Sequence, residues 1–531
     1  MDGSRPIDTW GILRAGLILV LALAVWSPTP PGAIAAPAAT QAPPGANAPQ
    51  RGGTITVGLV NQPDTLDPHR SAAGPDRHIL FQLYDSLLRF DKTLRVTPGQ
   101  VTTWKARDEL TFEFVLNDGL KFHDGTDLDA KAVAWNFERM MNKSLKLVPY
   151  SDLVDVDKVV ILDRLTFQIK LKKPLAPLLA LLADRAGMMI SPAAWAKSGP
   201  DHYGRNPVGA GAFKFVEWRQ GDSVTLQRFD GYFVKGEPYV DKVVFKFIAD
   251  AAVRAVSLQS GQIDVLGDVP AAAVKALKSD PGLKFYEGAG LQWSYFMFNV
   301  SKPPFDNLKV RQAVAFAIQR PALVAAVHED QATVAQGPFS PTSWAYDKKL
   351  DGYYKYDPAK AKALLADAGY GPSNPLKFQL LTTTDPTWQR QSEMVQADLR
   401  AVGVDATIQP YELATGIENM RNGTFQGMSL AFSGRADPDG NAFMRWHSTG
   451  TLNYMRYKSE RMDQLLEASR RTYDPQKRAE IFKQVNRVML EDLPLTFFTI
   501  GKAQNVTSKR VQNFTLIPDG MVRLPEIWLA K

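Results

Sequence analysis

The chain has 531 residues, 45% hydrophobic and 22% charged, with 62 Lys and Arg against 55 Asp and Glu for a formal net charge of +7. This is the composition of a globular protein of several domains. Its basic residues are scattered rather than gathered into a stripe interleaved with aromatics, which excludes a nucleic-acid binder. The absence of cysteine excludes disulfides, thiolate metal sites, a nucleophilic thiol and a lipid-bearing N-terminal cysteine.

Arg5 and Arg14 precede AGLILVLALAVW (Ala15–Trp26), an apolar run of secretory length and too short to span a bilayer comfortably. Ala33-Ile34-Ala35 fits an A-x-A cleavage site. Residues 1–35 therefore read as a removed signal peptide, with an uncleaved anchor as the alternative. Residues 36–50, rich in Ala, Pro and Gln, read as a disordered leader. No later segment holds the roughly 18 consecutive apolar residues of a membrane helix. The mature chain is predicted to be exported, membrane-free and periplasmic.

From there strand-like and helix-like segments alternate. TITVGLV (Thr54–Val60), TFEFVL (Thr111–Leu116), LTFQIKL (Leu165–Leu171), VTLQRF (Val224–Phe229) and KVVFKFI (Lys242–Ile248) have the period of two of half-buried strands. Asp306 is predicted to open the helix LKVRQAVAFAI, with Val310, Ala313, Val314, Ala317 and Ile318 as its apolar stripe, before Pro321 starts another. Asp357 and Pro358 are cap and first residue of a helix that stops before Gly369. KFQLLTT (Lys377–Thr383), a helix over Thr387–Val402 and VDATIQPY (Val404–Tyr411) follow, then the apolar run Met428–Phe432. Strand–helix–strand order, seen twice between 376 and 432, implies parallel pairing through right-handed crossovers. The class is mixed α/β in at least two lobes.

Enzyme signatures are absent: there is no G-x-S-x-G elbow, S-x-x-K pair, P-loop or H-E-x-x-H, and GAGAF (Gly209–Phe213) lacks the third glycine of a dinucleotide fingerprint. Catalysis by residues assembled only in space stays open. His69, His78, His123, His202, His328 and His447 lie far apart, and each is predicted to be a surface or turn residue. Aromatic weight is high, with 11 Trp, 16 Tyr and 27 Phe. Trp293 with Tyr295, Trp344 with Tyr346, and Trp446 with Tyr454 are placed in loops, where they line a pocket or simply pack.

The stretch SGRADPDGNAF (433–443) sets two aspartates around a proline where the strand Met428–Phe432 empties into a loop. Such loops hold ligands in open α/β sheets, and Asp with Pro also makes an ordinary turn. Both readings stand on these residues alone.

Six segments carry a resemblance: QPDTLDPH (62–69), LNDGLKFHDGTDLDAKAVAWNFERM (116–140), PVGAGAFKFVEW (207–218), VRAVSLQSGQIDVL (253–266), KPPFDNLKVRQAVAFAIQR (302–320) and YDPAKAKALLADAGY (356–370). In this order, from about Gly52 to the C-terminus, the chain resembles the family 5 extracytoplasmic solute-binding proteins. These serve ABC importers of dipeptides, oligopeptides, nickel and related solutes. The resemblance implies a two-lobed periplasmic-binding-protein fold of type II, in its large cluster C form. Lobe I would hold 51–288 with an inserted subdomain at about 91–205, lobe II 289–500, and 501–531 would return to lobe I. Hinge crossings are expected near Gly288–Trp293 and Thr499–Lys502, with the ligand trapped as the lobes close.

By the same resemblance Asp437 is expected to pair with the α-ammonium of a peptide, because lobe closure strips water from a carboxylate that then needs a cation. Ser433 and Gly434 would offer backbone groups to the first peptide unit. Arg435 would fork onto a ligand carboxylate or stay solvated, and Asp439 is expected to be a turn residue. Trp344, Tyr454, Trp293 and Tyr295 match positions near the cleft. Some peptide binders carry a disulfide near the segment matching WHSTGTLNYMRY (446–457), which this chain lacks. The expected function is capture of a short peptide or similar amine-bearing solute and delivery to an inner-membrane ABC permease. No catalysis, cofactor, metal or nucleic acid is involved, and the protein would be a monomer. The alternatives are a binder of a nickel- or haem-like complex or of an opine-like conjugate, and, further off, an exported hydrolase.

Overall fold

The computed structural model describes residues 48–530. The signal peptide read over 1–35, and the leader up to residue 47, lie outside the described residues. Among these residues one sheet of eleven strands dominates. Its order runs Val404–Tyr411, Leu376–Thr383, Gly427–Phe432, Leu283–Phe298, Leu495–Ser508, Val265–Leu266, Thr54–Leu59, Lys242–Phe247, Ser223–Arg228 and Phe213–Arg219, with Ala332–Val334 pairing beside Leu495–Ser508.

Both crossovers anticipated between 376 and 432 are present. Leu376–Thr383 pairs parallel with Val404–Tyr411 on one side and with Gly427–Phe432 on the other. Period-two burial is clear in Leu376–Thr383, whose Lys377 and Gln379 are exposed between buried Leu376, Phe378 and Leu380. Val404–Tyr411 is the outer strand, which is where a sheet tolerates Pro410 without losing a ladder bond. The helix Pro386–Ala401 joins them, capped by the Asp385 side chain on the Thr387 and Trp388 amides. Asp357 caps the Lys360 amide as expected. Asn307, not Asp306, caps the helix Leu308–Ala317, because its carboxamide oxygen reaches the Lys309 amide.

Leu283–Phe298 and Leu495–Ser508 are long enough to belong to both wings of the sheet, and they pair antiparallel along their length. Their register breaks between Ala289, opposite Lys502, and Trp293, opposite Ile500. On one side of that break lies a core around Ile55, Val57, Phe213, Val243 and Phe245. On the other lies one around Trp293, Tyr295, Phe432, Trp446 and Phe497. A separate four-stranded antiparallel sheet, Val101–Asp108, Thr111–Leu116, Thr166–Leu171 and Val156–Ile161, has its own core with the helix Ala130–Met141. Among the described residues no helix is long and apolar enough to cross a membrane.

Three histidines depart from the surface placement expected of them: His69, His78 and His447 are buried. His69 sits between the Met188 carbonyl (2.9 Å) and the Arg139 guanidinium (2.6 Å), and burial together with Arg139 holds its pKa well below the ordinary value.

Candidate functional site

Where Gly427–Phe432 ends, the chain turns under the other wing of the sheet. Gly434 has φ +71, and a Cβ there would lie 2.2 Å from the Leu291 carbonyl oxygen, so this position requires glycine. The tight turn presses the Ser433 hydroxyl against the opposite half, where it accepts from Arg77 Nη2 at 2.9 Å. The Gly434 carbonyl accepts from Arg435 (2.8 Å) and from Arg77 (3.4 Å). Two spaces of about 650 and 1270 Å³, open in part to solvent, flank this contact. The smaller is walled by Arg77, Asp184, Arg185, Arg435 and Asp437; the larger by Ser433, His78, Asp268, His328 and Lys502. Asp519 borders both.

Asp437 reaches the smaller space, but its carboxylate is not a lone charge. It takes both arms of Arg478 at 2.7 Å each and accepts the Asp439 amide at 2.8 Å as N-cap of the helix Pro438–Trp446. The demand for a cation that closure would create is therefore already met from within the chain. Asp439 is no turn residue: it lies in the first helical turn, fully buried, and is forked onto Arg470 at 2.8 Å twice. Asp152, just before the strand Val156–Ile161, stands 3.6 Å from the same guanidinium. Burial, with Asp439 beside it, lifts the Asp152 pKa to about 7 against the pull of Arg470.

Arg435 is buried rather than solvated, with its Nε 3.0 Å from Asp184. Arg77 Nη1 holds the same Asp184 oxygen at 3.1 Å, and Arg185 is the adjacent residue. Burial of Arg435, with Arg77, Arg185 and Arg445 nearby, lowers its pKa well below the ordinary value even though Asp184 opposes this. Asp184 is pulled the other way: burial alone would raise it, and Arg77, Arg435 and Arg185 hold it well below the carboxylate range. Several polar atoms here are buried with no protein partner: Arg77 Nε, Arg185 Nε and Nη1, Arg445 Nε, and one oxygen each of Asp64, Asp76 and Asp184. Asp64 and Asp76 face one another, and burial plus Asp64 raises the Asp76 pKa well above the ordinary range.

The aromatic residues divide. Trp293 and Tyr295 lie on a strand, not in a loop, with Trp293 at 0% exposure packed on Phe432 and Phe497. Trp446 is the last residue of its helix and equally buried. Arg445 stacks 3.5 Å over Phe432 and lies near the Tyr295 and Tyr454 hydroxyls. Buried Tyr454 also feels the Asp64 carboxylate of the opposite half, which places it at the boundary. Trp344 is 46% exposed and meets the site only through Arg478, which lies 5.5 Å from its ring. His447 stacks on Phe443 at 4.3 Å, away from the cleft. Among the described residues no three His, Asp or Glu side chains converge as a metal site.

Arg77, Asp184, Arg185, Arg445 and Arg478 were not anticipated from sequence. None lies in a motif with a chemical reading, and their partners are up to 357 residues away. Asp64 was within reach, since QPDTLDPH follows the strand Thr54–Leu59 as a loop at its carboxyl end.

Known proteins share this architecture. The glutathione-binding protein GsiB of Salmonella paratyphi A is 29% identical over 478 residues, 88% of this chain and 92% of its own. The oligopeptide-binding protein AppA of Bacillus subtilis, solved with a nonapeptide, superposes with a TM-score of 0.86 at 27% identity, covering 91% of this chain and all of its own. The periplasmic binding protein DppA of Helicobacter pylori, solved with the peptide STSA, gives 0.84 at 26% identity over 91% and 99%. The profile described as bacterial extracellular solute-binding proteins, family 5 middle, matches residues 95–454. The chain belongs to the family 5 bacterial extracellular solute-binding proteins.

Proposed function

We propose that the protein is the periplasmic solute-binding component of an ABC importer, exported by a cleaved signal peptide. It captures a short peptide or similar amine-bearing solute between two closing lobes and delivers it to the membrane permease. Lobe I is taken as about 51–288 with 501–531, and lobe II as about 289–500. One observation carries the reading: Arg77, Asp184 and Arg185, charged groups of both signs, line one space with atoms that no protein group satisfies, and Arg435 meets them there from the loop after Phe432. A zwitterionic solute supplies both missing partners, and unsatisfied buried charge is otherwise costly. In this reading Arg435 takes a carboxylate and Ser433 with Gly434 faces the first peptide unit. Asp64 and Asp76 take the ammonium that Asp437, held by Arg478, does not. Tyr454, Tyr295 and Trp293 support the floor, and Trp344 acts through Arg478. The ligands named for the relatives, glutathione and peptides, support the class.

The test is tryptophan fluorescence titrated with di- to pentapeptides, a nickel–histidine complex and an opine-type conjugate. A saturable shift with peptides is expected. A shift confined to the metal complex or the opine, or turnover of any probe, overturns the proposal.

A further inference from the structure

Three guanidinium groups, Arg77, Arg185 and Arg435, line one small space; Arg77 and Arg435 both pair with Asp184, while the other carboxylates of that wall, Asp152, Asp437 and Asp519, stand against Arg470, Arg478 and Arg523. Arg77 comes from the helix Arg77–Leu83 of one half, and Arg435 from the loop of the other. Asp184 bridges them with one oxygen, while its second oxygen is buried without any partner. Arg185 uses one arm on Ser71 and the Ala73 carbonyl and leaves Nε and Nη1 unmet. Outside that wall, Arg445 packs on the Phe432 and Trp293 rings near the Tyr295 and Tyr454 hydroxyls, and among the described residues it forms no ion pair. Burying a guanidinium without a counter-charge is costly, and one carboxylate oxygen shared by Arg77 and Arg435 leaves part of that cost in place.

We infer that Asp184 is a built-in stand-in for a carboxylate of the solute, and that a net-anionic ligand takes its bridging place between Arg77 and Arg435. This rests on the solute-capture reading above and narrows it to acidic, carboxylate-rich solutes. The geometry explains why the stand-in belongs to the first half. Asp184 keeps Arg77 and Arg185 positioned while the cleft is open, and Arg435 arrives only on closure. A planar carboxylate with two free oxygens engages two guanidiniums better than Asp184 does, since Asp184 offers both of them the same oxygen atom. Asp184 then competes with cargo for Arg435. It sets a threshold that a neutral solute, with nothing to exchange for the lost ion pair, does not pass.

The experiment is calorimetry on the whole protein with glutathione, the tripeptide Glu-Ala-Gly and the carboxyl esters of both, each retaining its ammonium. The free acids are expected to bind tighter than their esters by roughly 30-fold or more, the lower range for removing one member of a buried charge pair. Asp184→Asn is expected to tighten the free acids by about 10-fold, because the competitor has lost its charge. Arg435→Gln is expected to erase the preference for acid over ester. Acids and esters binding the wild type equally, or Asp184→Asn weakening the acids, overturns the stand-in while solute capture survives. Failure of every probe to bind the wild type overturns both. Should Asp184→Asn fail to fold, the acid-to-ester ratio of the wild type still decides.

Discussion

Asp437→Asn separates two accounts of the loop. The substitution keeps the shape and the capping oxygen, since Asn caps helices as well as Asp does. What it removes is the charge held by Arg478 in a two-armed contact, with side chains 18% and 8% exposed. Breaking a fully buried pair costs about 3–5 kcal/mol and an exposed one about 0–1. This nearly buried pair, with some solvent screening at Asp437, falls at about 2–4 kcal/mol. For about 480 folded residues, an unfolding entropy near 2.1 cal/mol/K per residue makes 1 kcal/mol worth about 1 °C. The melting temperature by scanning calorimetry at pH 7 is thus expected to fall by about 2–4 °C. Asp437→Asn combined with Arg478→Met should fall no further than either change alone, as required of partners. Affinity for free-amine peptides should be largely kept. An unchanged melting temperature together with abolished binding would refute this account and return Asp437 to the ammonium.

Two further outcomes follow from the geometry. Because the folded pKa of Asp152 is raised to about 7, above its unfolded value near 3.9, the folded state holds the extra proton between about pH 4 and 7, and stability falls as pH rises through that window. Asp152→Asn should therefore raise the melting temperature at pH 8 and lose that advantage by pH 4, and a gain that persists at pH 4 would contradict the assignment. Gly434→Ala must either displace the Leu291 carbonyl, 2.2 Å from the new Cβ, or abandon φ +71. It is expected to cost roughly 1–3 kcal/mol in denaturant melts and to weaken peptide binding, and wild-type values for both would show that the turn is not tightly constrained.

What was legible in the sequence was local. Alternation in KFQLLTT, the Asp357–Pro358 cap and the strand running into SGRADPDG were all read from neighbours within a few residues, and the parallel crossovers followed from their order. Gly288, Gly290 and Gln292 interrupt the apolar alternation just before Trp293 and Tyr295, yet the strand continues through both. The charge partners were illegible for another reason. Whether Asp437 is free depends on Arg478, 41 residues on, and whether Arg435 is solvated depends on Asp184 in the other half. An acidic loop residue looks the same in sequence whether its counter-ion is a ligand or an arginine.

The interruption in the two long strands has a mechanical consequence. Between Ala289 and Trp293 three residues stand opposite the single residue Gly501, and a second register shift follows between Ser294 and Tyr295. Torque between the wings is expected to be absorbed there, and the fulcrum would then lie directly against Gly434 through the Leu291 carbonyl. Bending the backbone at Leu291 moves the floor of the loop that carries Ser433 and Arg435. Grip and swing would then be one displacement: a solute that repositions the loop would also set the angle that the exterior of the protein presents.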